Sequence, residues 1–377
     1  MKIAICTPVF STNIYSSEYN LASGLRELGH DVTIISTRTR TARQLAWPVD
    51  EKNDGGITGV TVRWLDAVKG LHEPLHAYHV DEAVRDGRYD FGIVSEDWRP
   101  VSFQFHRALK KYDVLFMVDS ERYSRRVMGP VRSTIQWLQD HSLAKRMWDD
   151  AVAVTCHANT SVDFHRRIGT PEEKLAFIPS SVDTRIFRPL ERKFGDGPVQ
   201  VLNVARLEPQ KGQEALIRAT THLDGIHLTI KGRGPLRDHL GAMAREAGVD
   251  VTFDEESIRK ESLPEYYAQF DIYCQPSLDE PSGMSVLEAM ACGLPIIATE
   301  EGGLRDSVEN HLNGLTVKRE NFPIGVIEQI ETCLSVTQES EELRKAMGGE
   351  SRRIAVEKFD NRVVAQQHVE IAEKRGL

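Results

Sequence analysis

Short apolar runs rich in Val and Ile recur along this chain, each followed by a polar loop and an amphipathic stretch. Uninterrupted runs of this kind predict strands buried on both faces, and the stretches between them predict covering helices. Lys2-Ile3-Ala4-Ile5-Cys6 reads as the first strand, a helix follows over about 16–28, Gly29 ends it, and Val32–Ser36 is the next strand. That unit opens a doubly wound parallel sheet. Further strands are expected at Thr61–Trp64, Phe91–Val94, Val114–Val118 and Ala151–Thr155, with 37–56 as a polar surface loop. A second series of the same kind begins after Phe187-Arg188-Pro189. It predicts strands at Val199–Val204, His227–Lys231, Val249–Phe253, Ile272–Gln275, Pro295–Ala298 and Leu315–Val317. Helices are expected at about 212–222, 235–247, 263–268 and 284–292. The fold class is therefore α/β, with two Rossmann-like doubly wound domains, 1–190 and 191–357, and a polar linker at 190–198. A charged helical segment, 340–375, interrupted near Lys358-Phe359-Asp360, follows. Open sheets of this type bind ligands at the carboxyl ends of their strands, and two facing domains would place a cleft there.

Composition narrows the picture. At 377 residues, two domains are the natural division. The net charge of −9 is uneven: residues 1–190 carry 25 basic against 24 acidic side chains, and 191–377 carry 22 against 32. An acidic second half argues against nucleic acid as a partner. The five cysteines, Cys6, Cys156, Cys274, Cys292 and Cys333, are scattered without a CxxC pair and read as free thiols. The first residues enter a strand directly, without a signal-peptide pattern, and no apolar run approaches the ~20 residues that span a bilayer. A cytoplasmic protein is expected, with peripheral contact on the inner face of the membrane as the alternative.

The chemistry concentrates in Glu280-Pro281-Ser282-Gly283-Met284-Ser285-Val286-Leu287-Glu288, which runs on to Ala291-Cys292-Gly293. Met284 to Cys292 predicts a short apolar helix, with Ser282-Gly283 at its cap and Gly293 and Pro295 at its end. Glu288 is set into that run, where a carboxylate is costly without a partner. Small residues at the helix start leave backbone N–H groups open to a phosphate. Earlier, Arg206 and Lys211 flank the turn after a strand, where fixed cations would stabilise a departing diphosphate. The plain alternatives are a buried structural helix with one snorkelling Glu and a loop with ordinary surface charges. Gly232-Arg233-Gly234-Pro235 and Gly302-Gly303-Leu304 are read as turns and packing glycines, with a cleft-lining role as the competing account.

The Glu-x7-Glu spacing followed by Ala-Met-Ala-Cys-Gly resembles the signature of the family 4 retaining glycosyltransferases, the glycosyl transferases group 1. The resemblance extends over most of the chain, through Gly29-His30-Asp31-Val32, Ile178-Pro179-Ser180-Ser181, Val204-Ala205-Arg206-Leu207 with Lys211-Gly212, and Asn313-Gly314-Leu315. It implies a GT-B fold, with an acceptor-side first domain, a nucleotide-sugar donor domain, and a terminal helix (about 358–377) crossing back to the first. It implies transfer of a hexose from a nucleotide-diphosphate sugar to a hydroxyl acceptor with retention. Glu280 would act at the sugar. Arg206, Lys211, Gly283, Met284, Ser285 and Glu288 would hold the donor, and the Ile258 backbone its base. Cofactors are expected to be none, and no metal: no His, Asp or Glu cluster has ligand spacing, and the cations serve the diphosphate.

Several positions depart from the family pattern. Thr12-Asn13 stand where a Gly-Gly pair is usual near the diphosphate, and Asp119 stands where a His is usual near the anomeric carbon. Asp119 is read as a base or as an orienter of the acceptor hydroxyl. His157, just beyond a strand, is read as structural. The segment 120–148 interleaves Arg122, Arg125, Arg126, Arg132, Lys145 and Arg146 with Trp137, Leu138, Leu143, Met147 and Trp148. It reads either as a helix packed on the domain or as a peripheral membrane contact, the latter suiting a lipid-linked or sugar acceptor. Two other functions stay open: a non-catalytic nucleotide-sugar-binding relative, and an epimerase on a similar fold. A nicotinamide dehydrogenase is disfavoured, because no G-x-G-x-x-G follows the first strand.

Overall fold

The computed structural model describes residues 1–11, 14–38, 57–70, 74–121, 130–191 and 197–376. Thr12, Asn13 and most of the 37–56 stretch lie outside them, as do residues 122–129. The chain divides into two compact units, Met1–Ser181 with Asn361–Leu377, and Val182–Asp360.

The first unit holds strands β1 (Lys2–Val9), β2 (Asp31–Thr37), β3 (Thr61–Leu65), β4 (Ala67–Lys69), β5 (Pro74–Ala77), β6 (Phe91–Ser95), β7 (Leu115–Ser120), β8 (Ala153–Cys156) and β9 (Leu175–Phe177). Its helices are α1 (Ser17–Glu27), α2 (Val80–Gly87), α3 (Pro100–Lys111), α4 (Pro130–Asp140), α5 (Leu143–Asp150) and α6 (Asn159–Arg167). Seven strands form one parallel sheet in the order β3-β2-β1-β6-β7-β8-β9. The small antiparallel pair β4–β5 stands apart from it. Strands β1, β6 and β7 are apolar and almost wholly buried, as a sheet covered on both faces requires. Phe91, Phe105 and Trp148 are among the largest fully buried side chains, each contributing roughly 1.5–3 kcal/mol of hydrophobic stabilisation. Helix α1 is capped by Ser16, whose hydroxyl accepts from the Tyr19 N–H at 3.2 Å.

The second unit holds β10 (Val199–Val204), β11 (Ile226–Lys231), β12 (Val251–Asp254), β13 (Ile272–Gln275), β14 (Ile296–Thr299) and β15 (Gly314–Val317). Its helices are α7 (Gln213–Ala219), α8 (Arg237–Ala247), α9 (Leu263–Tyr267), α10 (Met284–Ala291), α11 (Gly303–Ser307), α12 (Ile324–Glu339) and α13 (Glu341–Lys358). All six strands run parallel in the order β12-β11-β10-β13-β14-β15. The order reverses between β10 and β13, so their carboxyl ends open a crevice at the switch point.

The charged segment that sequence marks at 340–375 is α13 followed by α14 (Asn361–Lys374), the break falling at Phe359 and Asp360. Helix α14 belongs to the first unit and packs along α1. Gly24 on α1 permits this approach: a Cβ there would lie 2.2 Å from the Asn361 carbonyl oxygen.

Candidate functional site

In the second unit the loop after β10 carries Arg206 and Lys211, and the loop after β13 carries Glu280, so residues far apart in sequence meet at the switch point. Lys211 Nζ lies 2.6 Å from Glu280 Oε2, with both side chains about nine-tenths buried. Glu280 Oε2 also accepts from Ser277 Oγ at 3.1 Å, and Gln275 Nε2 lies 3.5 Å away. Three donors thus converge on one carboxylate oxygen, which is how a buried charge is tolerated. The acid assigned from sequence to the sugar and the lysine assigned to the diphosphate are one ion pair.

Arg206 is more open. Its guanidinium pairs with Glu208, the side chains being 32% and 23% exposed, and Gln210 Nε2 donates to the other Glu208 oxygen. Arg206 therefore carries an exchangeable counter-ion, whereas that of Lys211 is fixed by burial.

Helix α10 begins at Gly283, whose φ of 66° is the left-handed conformation that glycine adopts most readily, and no side chain caps its first turn. The helix dipole favours an anion at this end, and the Val286 and Leu287 N–H groups donate to the Gly283 carbonyl at 2.9 and 3.2 Å. Gly302 approaches so closely that a Cβ would lie 2.0 Å from the Glu280 carbonyl oxygen, and the Gly303 N–H donates to that oxygen at 2.8 Å. These glycines thus serve packing of the acidic loop. Gly232 and Gly234 likewise sit against the Ala205 and Leu207 backbone.

Glu288, in the second turn of α10, is half-buried and accepts a hydrogen bond from Tyr267 Oη at 2.7 Å. Burial pushes its carboxyl up to about 7, and the Tyr267 hydrogen bond works against that rise. The Ser285 hydroxyl is turned inward, donating to the Val204 carbonyl at 3.1 Å and lying 2.8 Å from Tyr273 Oη. What Ser285 offers a ligand is thus its backbone, not its hydroxyl. Met284 is half-buried at the helix start, and Ile258 is half-buried in the loop after β12. The tyrosines Tyr267 and Tyr273 and the pair Gln275 and Ser277 went unnoticed in sequence. The only trace was polar-tipped aromatics set into an apolar run. Among the described residues no group of three or more His, Cys, Asp or Glu is placed to hold a metal.

In the first unit Asp119 stands at the carboxyl end of β7, but it is 5% exposed and both oxygens are engaged. Oδ1 takes the Thr155 hydroxyl and lies 3.4 Å from His368 Nε2, while Oδ2 lies 3.8 Å from His157 Nε2. Burial acts to raise its carboxyl, yet the charges of His157 and His368 with hydrogen bonds from His368 and Thr155 outweigh it and hold Asp119 well below the usual carboxylate range. So acidic a group is a poor proton acceptor, and a role as general base does not suit this geometry. His157 Nδ1 faces the Ile178 carbonyl at 3.0 Å. Burial disfavours its charge, but Asp119 and Glu121 prevail and raise it. Glu18 and Glu121 are raised by burial first, each then further by the other's charge or a neighbouring acid. Thr12 and Asn13 lie outside the described residues.

The basic, aromatic segment 120–148 divides. Met147 and Trp148 are in the core, whereas Ile135, Trp137, Leu138 and Leu143 are exposed, and Arg122, Arg125 and Arg126 lie outside the described residues. Among the described residues no helix is long and apolar enough to cross a membrane.

Two doubly wound parallel-sheet units, with a last helix returning to the first, define the GT-B architecture. Residues 188–353 match the family described as Glycosyl transferases group 1, and residues 18–180 match the Glycosyl transferase 4-like domain. The chain thus carries both of these glycosyltransferase domains. Among its relatives, the GDP-mannose-dependent alpha-(1-6)-phosphatidylinositol monomannoside mannosyltransferase of Mycobacterium tuberculosis is 33% identical over 199 residues, 47% of this chain and 51% of that protein. The chain thus spans about half the length of the first such relatives. A D-inositol 3-phosphate glycosyltransferase of Acidothermus cellulolyticus is 28% identical over 367 residues, 84% of this chain and 76% of that one. Among solved structures, sucrose-phosphate synthase of Thermosynechococcus elongatus superposes with a TM-score of 0.79 at 17% identity, covering 99% of each chain. The HepE protein of Anabaena, solved in complex with UDP, gives 0.75 at 17% identity over 99% of this chain and 100% of that one. At such identities these two speak for the fold alone.

Proposed function

We propose that this chain is a retaining glycosyltransferase that moves a hexose from a nucleotide-diphosphate sugar to a hydroxyl acceptor. The observation that carries this reading is the buried Lys211–Glu280 pair at the switch point beside the uncapped start of α10. The donor diphosphate lies against the Gly283, Met284 and Ser285 backbone, where the helix dipole and Arg206 and Lys211 meet its charge. As the glycosidic bond breaks, negative charge grows on the leaving phosphate, so fixed cations favour the transition state over the ground state. Glu280, locked to Lys211, presents its free lone pairs to the sugar hydroxyls. Glu288 takes the ribose hydroxyls, and the loop around Ile258 borders the base. No side-chain nucleophile is required if the departing phosphate oxygen accepts the acceptor's proton on the same face.

Asp119 serves in this reading as a buried anion that keeps His157 charged, not as the base. The acceptor is a polyol or lipid-linked sugar. The names of the mycobacterial and inositol-phosphate relatives favour it, and so do the exposed Trp137 and Leu138 beside a surface suited to a membrane interface. The decisive experiment is thermal unfolding with UDP, GDP and ADP, followed by turnover of the matching nucleotide sugars, GDP-mannose first. At a hundredfold excess over its Kd the right nucleotide should stabilise the protein by about 2.7 kcal/mol. That gain should vanish in Arg206→Ala and Glu288→Ala. Absence of any nucleotide response would falsify the proposal. The clamped Asp119 favours one second reading, a non-catalytic relative, which binding without turnover across lipid-linked and free sugar acceptors would establish.

A further inference from the structure

Glu288 and Glu280 sit eight positions apart on different elements, and each is met by its own covered polar neighbours. Tyr267 Oη donates to Glu288 Oε2 at 2.7 Å and lies 3.4 Å from the Ser285 carbonyl. The Ser285 hydroxyl is 2.8 Å from Tyr273 Oη, which is 2.9 Å from Gln275 Oε1. Gln275 Nε2 then donates to Ser277 Oγ at 2.7 Å, and Ser277 Oγ donates to Glu280 Oε2, the oxygen that Lys211 holds. Tyr267 and Tyr273 are fully covered, and Gln275 and Ser277 are 1% and 0% exposed. Tyr267 Oη spends its one proton on Glu288, while Gln275 Nε2 and Ser277 Oγ are turned to the Glu280 side, so neither acid can turn without leaving a covered partner unpaired. Unpaired polar groups in such a setting are costly.

We infer that Tyr267 and Gln275 are positioning residues of the donor site, Tyr267 holding Glu288 and Gln275, together with Ser277, holding Glu280. This rests on the donor-binding reading above. The two acids face different parts of the donor. Tyr267 sets the carboxylate assigned to the ribose, and Gln275 with Ser277 sets the one assigned to the transferred sugar. Loss of the Tyr267 hydroxyl should therefore weaken nucleotide and nucleotide sugar alike. Loss of the Gln275 amide should spare the nucleotide and act on the sugar.

The test begins with titration of the wild-type protein against UDP, GDP and ADP, and continues with the nucleotide that binds. Tyr267→Phe is expected to weaken that nucleotide about tenfold, the usual scale for a lost hydrogen bond to a charged group. Gln275→Met should leave nucleotide affinity within about twofold while kcat falls at least about tenfold. A pH series supplies the reading that general loosening of the fold would not reproduce. Tyr267 on α9 is the titratable partner of Glu288 itself, and Tyr273 on β13 and Cys292 at the end of α10 act on Tyr267. The Tyr267 hydrogen bond stabilises the Glu288 carboxylate, so the fall in nucleotide affinity on acidification should begin at higher pH in Tyr267→Phe. If no nucleotide binds the wild type, the functional reading fails first. If the wild type binds and Tyr267→Phe matches it in affinity and pH profile, or if Gln275→Met loses nucleotide and turnover in equal measure, the positioning role is overturned.

Discussion

The carboxyl edges of the two sheets make the same topological promise and keep it differently. In the second unit the acids meet a lysine, an arginine and tyrosine hydroxyls around an open helix start. In the first unit the corresponding acid, Asp119, meets two imidazoles and a threonine and is enclosed. A parallel sheet thus decides where polar residues collect, but their partners decide whether the collection can serve a ligand. The open edge keeps its charges paired yet exchangeable at Arg206, while the closed edge spends its charges on itself.

The sharpest way to break this contrast is to remove one side of the buried pair. Lys211→Ala should destabilise the protein by about 3–5 kcal/mol, because it strands Glu280 without a counter-charge. Denaturant unfolding would read this out. Adding Glu280→Gln should recover much of the stability and none of the turnover. If Lys211→Ala unfolds like the wild type, the pair is not the anchor of the open edge.

Asp119→Asn tests the closed edge, with an expected loss of about 2–3 kcal/mol at mildly acid pH, toward the lower end for a broken buried pair. The depressed Asp119 adds stability above its unfolded value, 3.8, and loses it on acidification through its folded value. The raised His157 adds stability that is complete below its unfolded value, 6.5, and is lost as pH rises through its folded value. The pair therefore contributes most between about pH 4 and 6.5. Unfolding at pH 5.5 and pH 9 should show a larger difference between wild type and Asp119→Asn at the lower pH. Equal differences would mean that His157 does not share its charge with Asp119.

A smaller effect of opposite sign is expected at Glu288. Its raised carboxyl binds a proton more tightly folded than unfolded, so the ligand-free fold loses stability as pH rises from 4.5 toward 7. Glu288→Gln should stabilise the ligand-free protein at pH 8 by about 2 kcal/mol or less, allowing for its partial exposure. The same variant should lose the nucleotide-induced rise in Tm. A variant both less stable and unresponsive would point to a merely structural Glu288.

Much of the frame was legible from the chain itself. Val199–Val204 and Ile272–Gln275 were found at their observed limits because uninterrupted β-branched and apolar runs have few alternatives to a buried strand. The pair β4–β5 and the edge strand β9 escaped notice. They are three or four residues long, and His76, Pro74 and the half-exposed Leu175–Phe177 carry little alternation. At the site, the spacing of Glu280 and Glu288 marked the right helix, but spacing says nothing about which cation a carboxylate faces. Lys211 was assigned to phosphate alone, and its contact with Glu280 is a tertiary fact. Asp119 was placed correctly at a strand end, while His368, 249 positions away, could not be foreseen as its neighbour.

That neighbour has a consequence for how the molecule is made. His368 and the rest of α14 leave the ribosome only after every residue of the second unit, yet they complete the first. During synthesis, at some 5–20 residues per second, the early sheet must wait many seconds with the flank of α1 uncovered and Asp119 short of one imidazole. The nascent protein is thus most exposed to chaperones and proteases at its oldest part. A stalled or shortened message would yield a chain whose beginning, not its end, is left unfinished.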